Sequence, residues 1–195
     1  MKPSALALLL VAVSLASPGA RAAHAAWQQL KSGGAIVLMR HAATVPGIGD
    51  PPGFKLGDCA TQRNLSEAGR RDARAIGASF RARQVVPGAV WSSRWCRCLD
   101  TARLAFGQVQ PTPALDSMFE DDAAASASKL RDLRARLARR VETTPLVLVT
   151  HDVNIRALTG QSLAPGEMLL TRLRGERLEV VGRLATQAVA QSPPP

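Results

Sequence analysis

The chain of 195 residues is near the size of one compact domain, and at 46% hydrophobic residues it carries enough apolar surface for a full core. Its 25 basic and 15 acidic residues give a formal charge of +10, a balance that favours anionic partners. Nucleic acid is disfavoured as that partner: aromatics are only 4%, tyrosine is absent, and no basic run is interleaved with stacking residues.

The amino terminus has Lys2, an apolar run over 5–16, and small-x-small sequences ending at Ala22 and Ala25. This pattern predicts a secretory signal peptide over 1–25. The run is too short for a membrane anchor, which needs about 20 apolar residues. No later stretch suggests a membrane span, so an exported domain over 26–185 is expected. Losing the leader removes Lys2 and Arg21 and no acid, which leaves 23 basic against 15 acidic residues, a formal +8.

Ala35-Ile-Val-Leu-Met39, entered from Gly33-Gly34, predicts a strand buried on both faces that ends on Arg40-His41. Open α/β sheets place their ligand crevices outside such strand ends. Residues 46–59, rich in Gly, Pro and Asp, predict a long loop or lid. Ser66 is a helix cap with Glu67 in the first turn, and Ile76 and Phe80 mark the buried face. A strand is expected over 85–92, then a helix beginning at Arg97 whose positive end favours anions. A short strand over 110–115 and an acidic loop over 116–122 follow. Leu130, Leu133 and Leu137 mark an amphipathic helix rich in arginine. Pro145-Leu-Val-Leu-Val-Thr150 is a second buried-strand pattern, and it delivers His151. A short helix over 154–159 stops at Gly160, and residues 167–184 predict a hairpin at the sheet edge turning at Arg174-Gly175-Glu176. The proline-rich tail over 186–195 is expected to be disordered. No internal repeat is visible.

Of the three histidines, His24 lies in the expected leader, so the two that remain both terminate buried strands more than a hundred residues apart. Imidazoles that converge with arginines point to phosphoryl chemistry. A guanidinium grips phosphate oxygens bidentately, and a neutral imidazole nitrogen attacks phosphorus.

Four segments then fall into one pattern. Leu38-Met-Arg-His-Ala42, Asn64-Leu-Ser-Glu-Ala-Gly69 with Ala73, Ser93-Arg-Trp-Cys-Arg97-Cys-Leu-Asp-Thr101-Ala102 and Val149-Thr-His151 occur in order over roughly 35–160. Together they resemble the histidine phosphatase superfamily, the phosphoglycerate mutase-like proteins, in an exported bacterial branch. The departures are Ala42 and Asp152 where glycines are common and Cys98 at a usual alanine. The resemblance implies a three-layer α/β/α fold with a mostly parallel central sheet. It also implies a metal-independent phosphomonoesterase without cofactor. His41 would be the phosphohistidine-forming nucleophile, while Arg40, Arg97 and His151 stabilise the transferred group. Glu120, with Asp121 behind it, is the expected general acid. Thr44 and Asn154 are expected to contact substrate. That substrate is a small phosphorylated molecule, in an exported setting a sugar phosphate or a lipopolysaccharide phosphate. A phosphomutase and a non-catalytic phosphate- or glycan-binding module on the same fold are the alternatives.

Cys59, Cys96 and Cys98 would reach an oxidising compartment, so one disulfide and one leftover thiol are expected. Cys59 is expected to pair with Cys96 or Cys98, which would staple the loop after the nucleophile to the arginine motif. Cys96-x-Cys98 is too closely spaced for a familiar zinc site.

Overall fold

Alternation along the buried strands divides the core into two layers. In the computed structural model, which describes residues 18–141 and 143–184, the strands are β1 (Ile36–Arg40), β2 (Ala89–Ser92), β3 (Gln110–Pro111), β4 (Leu146–Thr150), β5 (Met168–Arg174) and β6 (Arg177–Leu184). The helices are α1 (Pro18–Lys31), α2 (Glu67–Ala82), α3 (Cys96–Phe106), α4 (Ala123–Ala138) and α5 (Asp152–Thr159). Val37 and Met39 of β1 and Val147 and Val149 of β4 pack with Ile76, Phe80, Ala102 and Ala105 of α2 and α3 and with Ala26, Trp27 and Leu30 of α1. Ile36 and Leu38, with Leu146 and Leu148, point the other way, onto Leu133 and Leu137 of α4 and Ile155 of α5. One period-2 pattern thus builds both faces of a three-layer α/β/α unit.

The sheet order is β3-β2-β4-β1-β5-β6. The first four strands are parallel, and the β5–β6 hairpin adds antiparallel to β1. β1 and β4 are direct neighbours, in register from Ile36↔Leu146 to Arg40↔Thr150. That register carries His41 and His151 off the same sheet edge side by side.

Four expected elements are shortened or moved. The strand expected over 85–92 is confined to β2, because the Val85 N–H bonds to the α2 carbonyl of Phe80 and Pro87 has no N–H to give a ladder. The strand over 110–115 ends at Pro111, and Pro113–Leu115 winds into a 3-10 turn. The third helix starts at Cys96 rather than Arg97, and α5 starts at Asp152 with His151 as its cap residue. The sequence pattern also missed α1. It crosses the expected leader boundary, with residues 24 and 25 exposed and burial beginning at Ala26. Residues 1–17 of the expected leader and the tail over 186–195 lie outside the described residues.

Two glycines of α2 set how closely the helices approach the site. A Cβ on Gly69 would lie 1.9 Å from the Ala43 carbonyl oxygen, and one on Gly77 would lie 2.0 Å from that of Ala105. Only glycine lets α2 approach both the turn after His41 and the helix that carries Arg97.

Candidate active site

His41 is buried at the end of β1. Its backbone N–H bonds to the Thr150 carbonyl at 3.0 Å, and its Nδ1 lies 2.8 Å from the Ala42 carbonyl oxygen. A carbonyl only accepts, so Nδ1 carries the proton and the lone pair is left on Nε2. Burial pushes the His41 pKa down to about 3. The Ala42 hydrogen bond opposes that shift, and the charges of Arg97, Arg40 and Arg63 reinforce it. The imidazole is therefore neutral and nucleophilic at any ordinary pH. Ala42, at the usual glycine, is fully buried; its N–H is held by the Thr101 hydroxyl at 3.0 Å, and that hydroxyl donates to the Arg97 carbonyl at 2.7 Å. The arginine-motif threonine thus ties the start of α3 to the end of β1.

His151 faces His41 with ring centroids 5.4 Å apart. Its Nε2 lies 2.9 Å from the Ser93 hydroxyl and 3.5 Å from the Cys98 sulfur. Burial, with His41, Arg97, Lys129 and Arg40 nearby, holds its pKa well below the usual range. Ser93 Oγ also lies 3.4 Å from Oδ1 of buried Asp116, whose carboxylate accepts the Arg94 backbone N–H at 2.8 Å and Arg94 Nε at 2.7 Å.

Arg97 is buried and pairs with buried Asp50 at 2.7 Å. Asp50 also accepts the Arg63 backbone N–H at 2.9 Å and Trp95 Nε1 at 2.9 Å. Burial raises the Asp50 pKa, yet these bonds outweigh it and leave the carboxyl below its ordinary value. Arg40 is oriented by Nη1 donating to the Leu163 carbonyl at 2.6 Å, while the Leu163 N–H donates to Asp152 at 2.8 Å. The departure at Asp152 thus has a use: it helps to fix Leu163, the residue whose carbonyl aims Arg40.

Arg40, His41, Arg63, Arg97 and His151 line one cavity of about 400 Å³, with Glu120, Asp121 and Lys129 on its wall. Arg63 is a third guanidinium that sequence reasoning missed, although it directly precedes the Asn64 motif. In each of the three arginines the Nε is buried and has no hydrogen-bond partner. Asp50, Ser93 and Asp116 were missed as well; only Ser93, as first residue of the arginine motif, carried a signal. Glu120 is exposed on the wall, whereas Asp121 is engaged by Lys129 at 2.7 Å.

Two expected substrate contacts are placed elsewhere. The Thr44 hydroxyl accepts from Arg63 Nη1 at 2.9 Å and is not on the cavity wall, so it orients Arg63. Asn154 is buried and committed to backbone. It donates to the Asp116 carbonyl at 2.8 Å and accepts from the Met118 N–H at 3.2 Å, fastening the acidic loop beneath Glu120. Cys59 pairs with Cys96, closing a separation of 37 residues, and Cys98 is a buried thiol that burial raises to about 12. Among the described residues no group of three or more His, Cys, Asp or Glu side chains is placed to hold a metal ion. Nor is any helix there long and apolar enough to cross a membrane.

The fold and the site can be set beside known proteins. No curated protein matches the sequence. Among solved structures, the protein histidine phosphatase SixA complexed with tungstate is similar at 13% identity and a TM-score of 0.53, over 77% of this chain and 96% of that one. A putative alpha-ribazole-5'-P phosphatase from Escherichia coli K-12 gives 17% and 0.57 over 78% and 97%. A putative phosphohistidine phosphatase SixA from Agrobacterium tumefaciens gives 19% and 0.54 over 78% and 98%. These likenesses show the fold. The family model for the histidine phosphatase superfamily (branch 1) matches residues 36–121, a span that holds Arg40, His41, Arg63, Arg97 and Glu120. Within this fold, the matched span makes the chain similar to the histidine phosphatase superfamily, and His151, the second strand-end histidine, lies outside that span.

Proposed function

We propose that this protein is an exported, metal-independent phosphomonoesterase that works through a phosphohistidine on His41. The carrying observation is that Arg40, Arg63 and Arg97 line one cavity with both histidines. A phosphoryl group supplies acceptor oxygens for guanidinium groups that line one cavity.

In the reaction, His41 Nε2 attacks phosphorus as the ester P–O bond breaks. The arginines neutralise the equatorial oxygens with a hydrogen bond from His151, and Glu120 gives the departing alkoxide its proton. Glu120 then takes a proton from the water that attacks the phosphohistidine, which releases inorganic phosphate and neutral His41. Glu120 suits this role because the other cavity carboxylates are occupied: Asp50 by Arg97, Asp121 by Lys129, and Asp152 by the Leu163 N–H. A small alcohol is the leaving group, with sugar phosphates and lipopolysaccharide phosphates the class that export suggests. The leader pattern and the Cys59–Cys96 bridge support export to an oxidising compartment.

The alternative of a non-catalytic module rested on the departures at Ala42 and Asp152. Ala42 still supplies the carbonyl that fixes His41, and Asp152 still supports Arg40, so hydrolysis is the better reading. A phosphomutase needs a second cationic subsite, yet beyond the phosphoryl cluster Lys129 and Arg156 each lie against a carboxylate. The test is hydrolysis of p-nitrophenyl phosphate with and without a chelator. Turnover that survives chelation and vanishes in His41→Ala supports the reading; turnover in that variant refutes it.

A further inference from the structure

The cavity does not end at the phosphoryl cluster. From His151 a run of rings leads outward: Trp95 meets His151 edge-on with centroids 5.6 Å apart, and Phe54 lies 5.7 Å from Trp95. Trp95 is held by its bond to Asp50, the same carboxylate that pairs with Arg97, so this wall is fixed to the phosphate-binding floor. At the mouth, Ile48 is 93% exposed and Phe119 65% exposed, and both line the cavity from different loops.

The placement of exposed apolar groups is uneven. Six large hydrophobic residues are exposed among the described residues. Val45, Ile48, Leu56 and Phe119 lie on the two loops that flank the mouth. Val86 and Val141 precede β2 and β4 at the opposite edge of the sheet. Contiguous exposed apolar surface beside a polar cleft marks a ligand groove. The charges at the mouth are largely matched as well, Lys129 by Asp121 and Arg156 by Asp152, so a second anionic group finds no unmatched cation there.

We infer that the leaving group is an uncharged, ring-bearing alcohol that packs against Phe54 and Trp95 and is closed over by Ile48 and Phe119, which makes these side chains the specificity determinants. This rests on the phosphatase reading and names its substrate class. Aromatic faces take up apolar rings, and also the C–H face of a sugar ring, by stacking, whereas a short acyclic chain gains little from them.

The test compares esters of primary alcohols, so that the bond broken is alike: benzyl phosphate and glucose 6-phosphate against ethyl phosphate. The kcat/KM for the ring esters should exceed that for ethyl phosphate by about tenfold or more, an advantage of the size one stacked ring supplies. In Phe119→Ala and Ile48→Ser, both at exposed positions, that ratio should fall towards one. A wild-type ratio near one, or a ratio that both variants leave unchanged, overturns the inference while the phosphatase reading stands. Failure to hydrolyse any ester, p-nitrophenyl phosphate included, overturns both.

Discussion

The two histidines leave neighbouring strand ends in the same register, yet they are held by different partners. His41 Nδ1 meets a backbone carbonyl, which only accepts, so its proton is pinned there and Nε2 is left bare. His151 Nε2 meets the Ser93 hydroxyl, which both donates and accepts. His151 can therefore gain or lose a proton without losing its partner. In identical topology, the partner atom separates the two rings, and under the proposed mechanism it separates the nucleophile from the ring that assists it. The sharpest break in this comparison is His41→Ala, which should lower turnover of a phosphomonoester by about 10⁴-fold or more, as loss of a covalent nucleophile does. A loss no larger than that of His151→Ala would erase the distinction.

The same burial predicts an acid sensitivity of stability. Folded His41 has a pKa of about 3, whereas the unfolded imidazole takes a proton near 6.5. Between these values the unfolded chain binds more protons, so stability rises with pH through the window and is lost as pH falls from about 6.5 towards 3. The full shift corresponds to about 5 kcal/mol. Denaturant unfolding at pH 4 and pH 7 should show a smaller difference in His41→Gln than in the wild type; equal differences would place the proton uptake elsewhere.

The floor beneath both rings depends on the loop that carries Asp50, which the Cys59–Cys96 bridge joins to α3. Closing 37 residues stabilises the fold by roughly 4 kcal/mol in the loop-entropy account. Reduction should lower the unfolding midpoint and the activity together, because Asp50 then loses its fixed place against Arg97. If activity survives reduction intact, the staple serves stability alone. Arg97→Ala should lower kcat by about 10² to 10³-fold, as removal of a preorganised charge donor does. A change confined to KM would make Arg97 a ground-state binding group.

What the sequence showed and what it hid follow from range. The buried strands were legible because five successive apolar residues need no distant partner to identify them, and a strand must end where its first polar residues stand. Ser66 and Gly160 were legible because caps act locally, whereas Gly69, whose close approach is to Ala43, stood out only through its motif. Asp50 was hidden: nothing in a loop of Gly, Pro and Asp says that one carboxylate will meet Trp95 and Arg97 some 45 and 47 residues later. Asp116 looked like one more loop acid, yet it is buried against Arg94. Thr44 and Asn154 misled for the converse reason. Their polar groups near the motifs suited a ligand, but the chain had backbone and arginine groups of its own to satisfy.

Ser93→Ala is the mildest change and the most direct test of the partner argument. Ser93 touches no cavity surface in the way the arginines do; it acts through His151 and is a positioning residue. Its removal leaves the ring in place, since Trp95 still packs edge-on against it, and the Cys98 sulfur at 3.5 Å is a weak substitute for the hydroxyl. The expected loss in kcat is therefore modest, about tenfold, near the 1.4 kcal/mol of a single hydrogen bond. A merely structural role would lower activity equally at every pH. The partner argument requires more: the acid limb of the kcat profile should move in Ser93→Ala, and Ser93→Thr, which keeps the hydroxyl, should restore it. The corresponding test at His41 has no side chain to remove, since its partner is the main chain. An unmoved pH profile in Ser93→Ala would show that the hydroxyl does not govern the proton on His151.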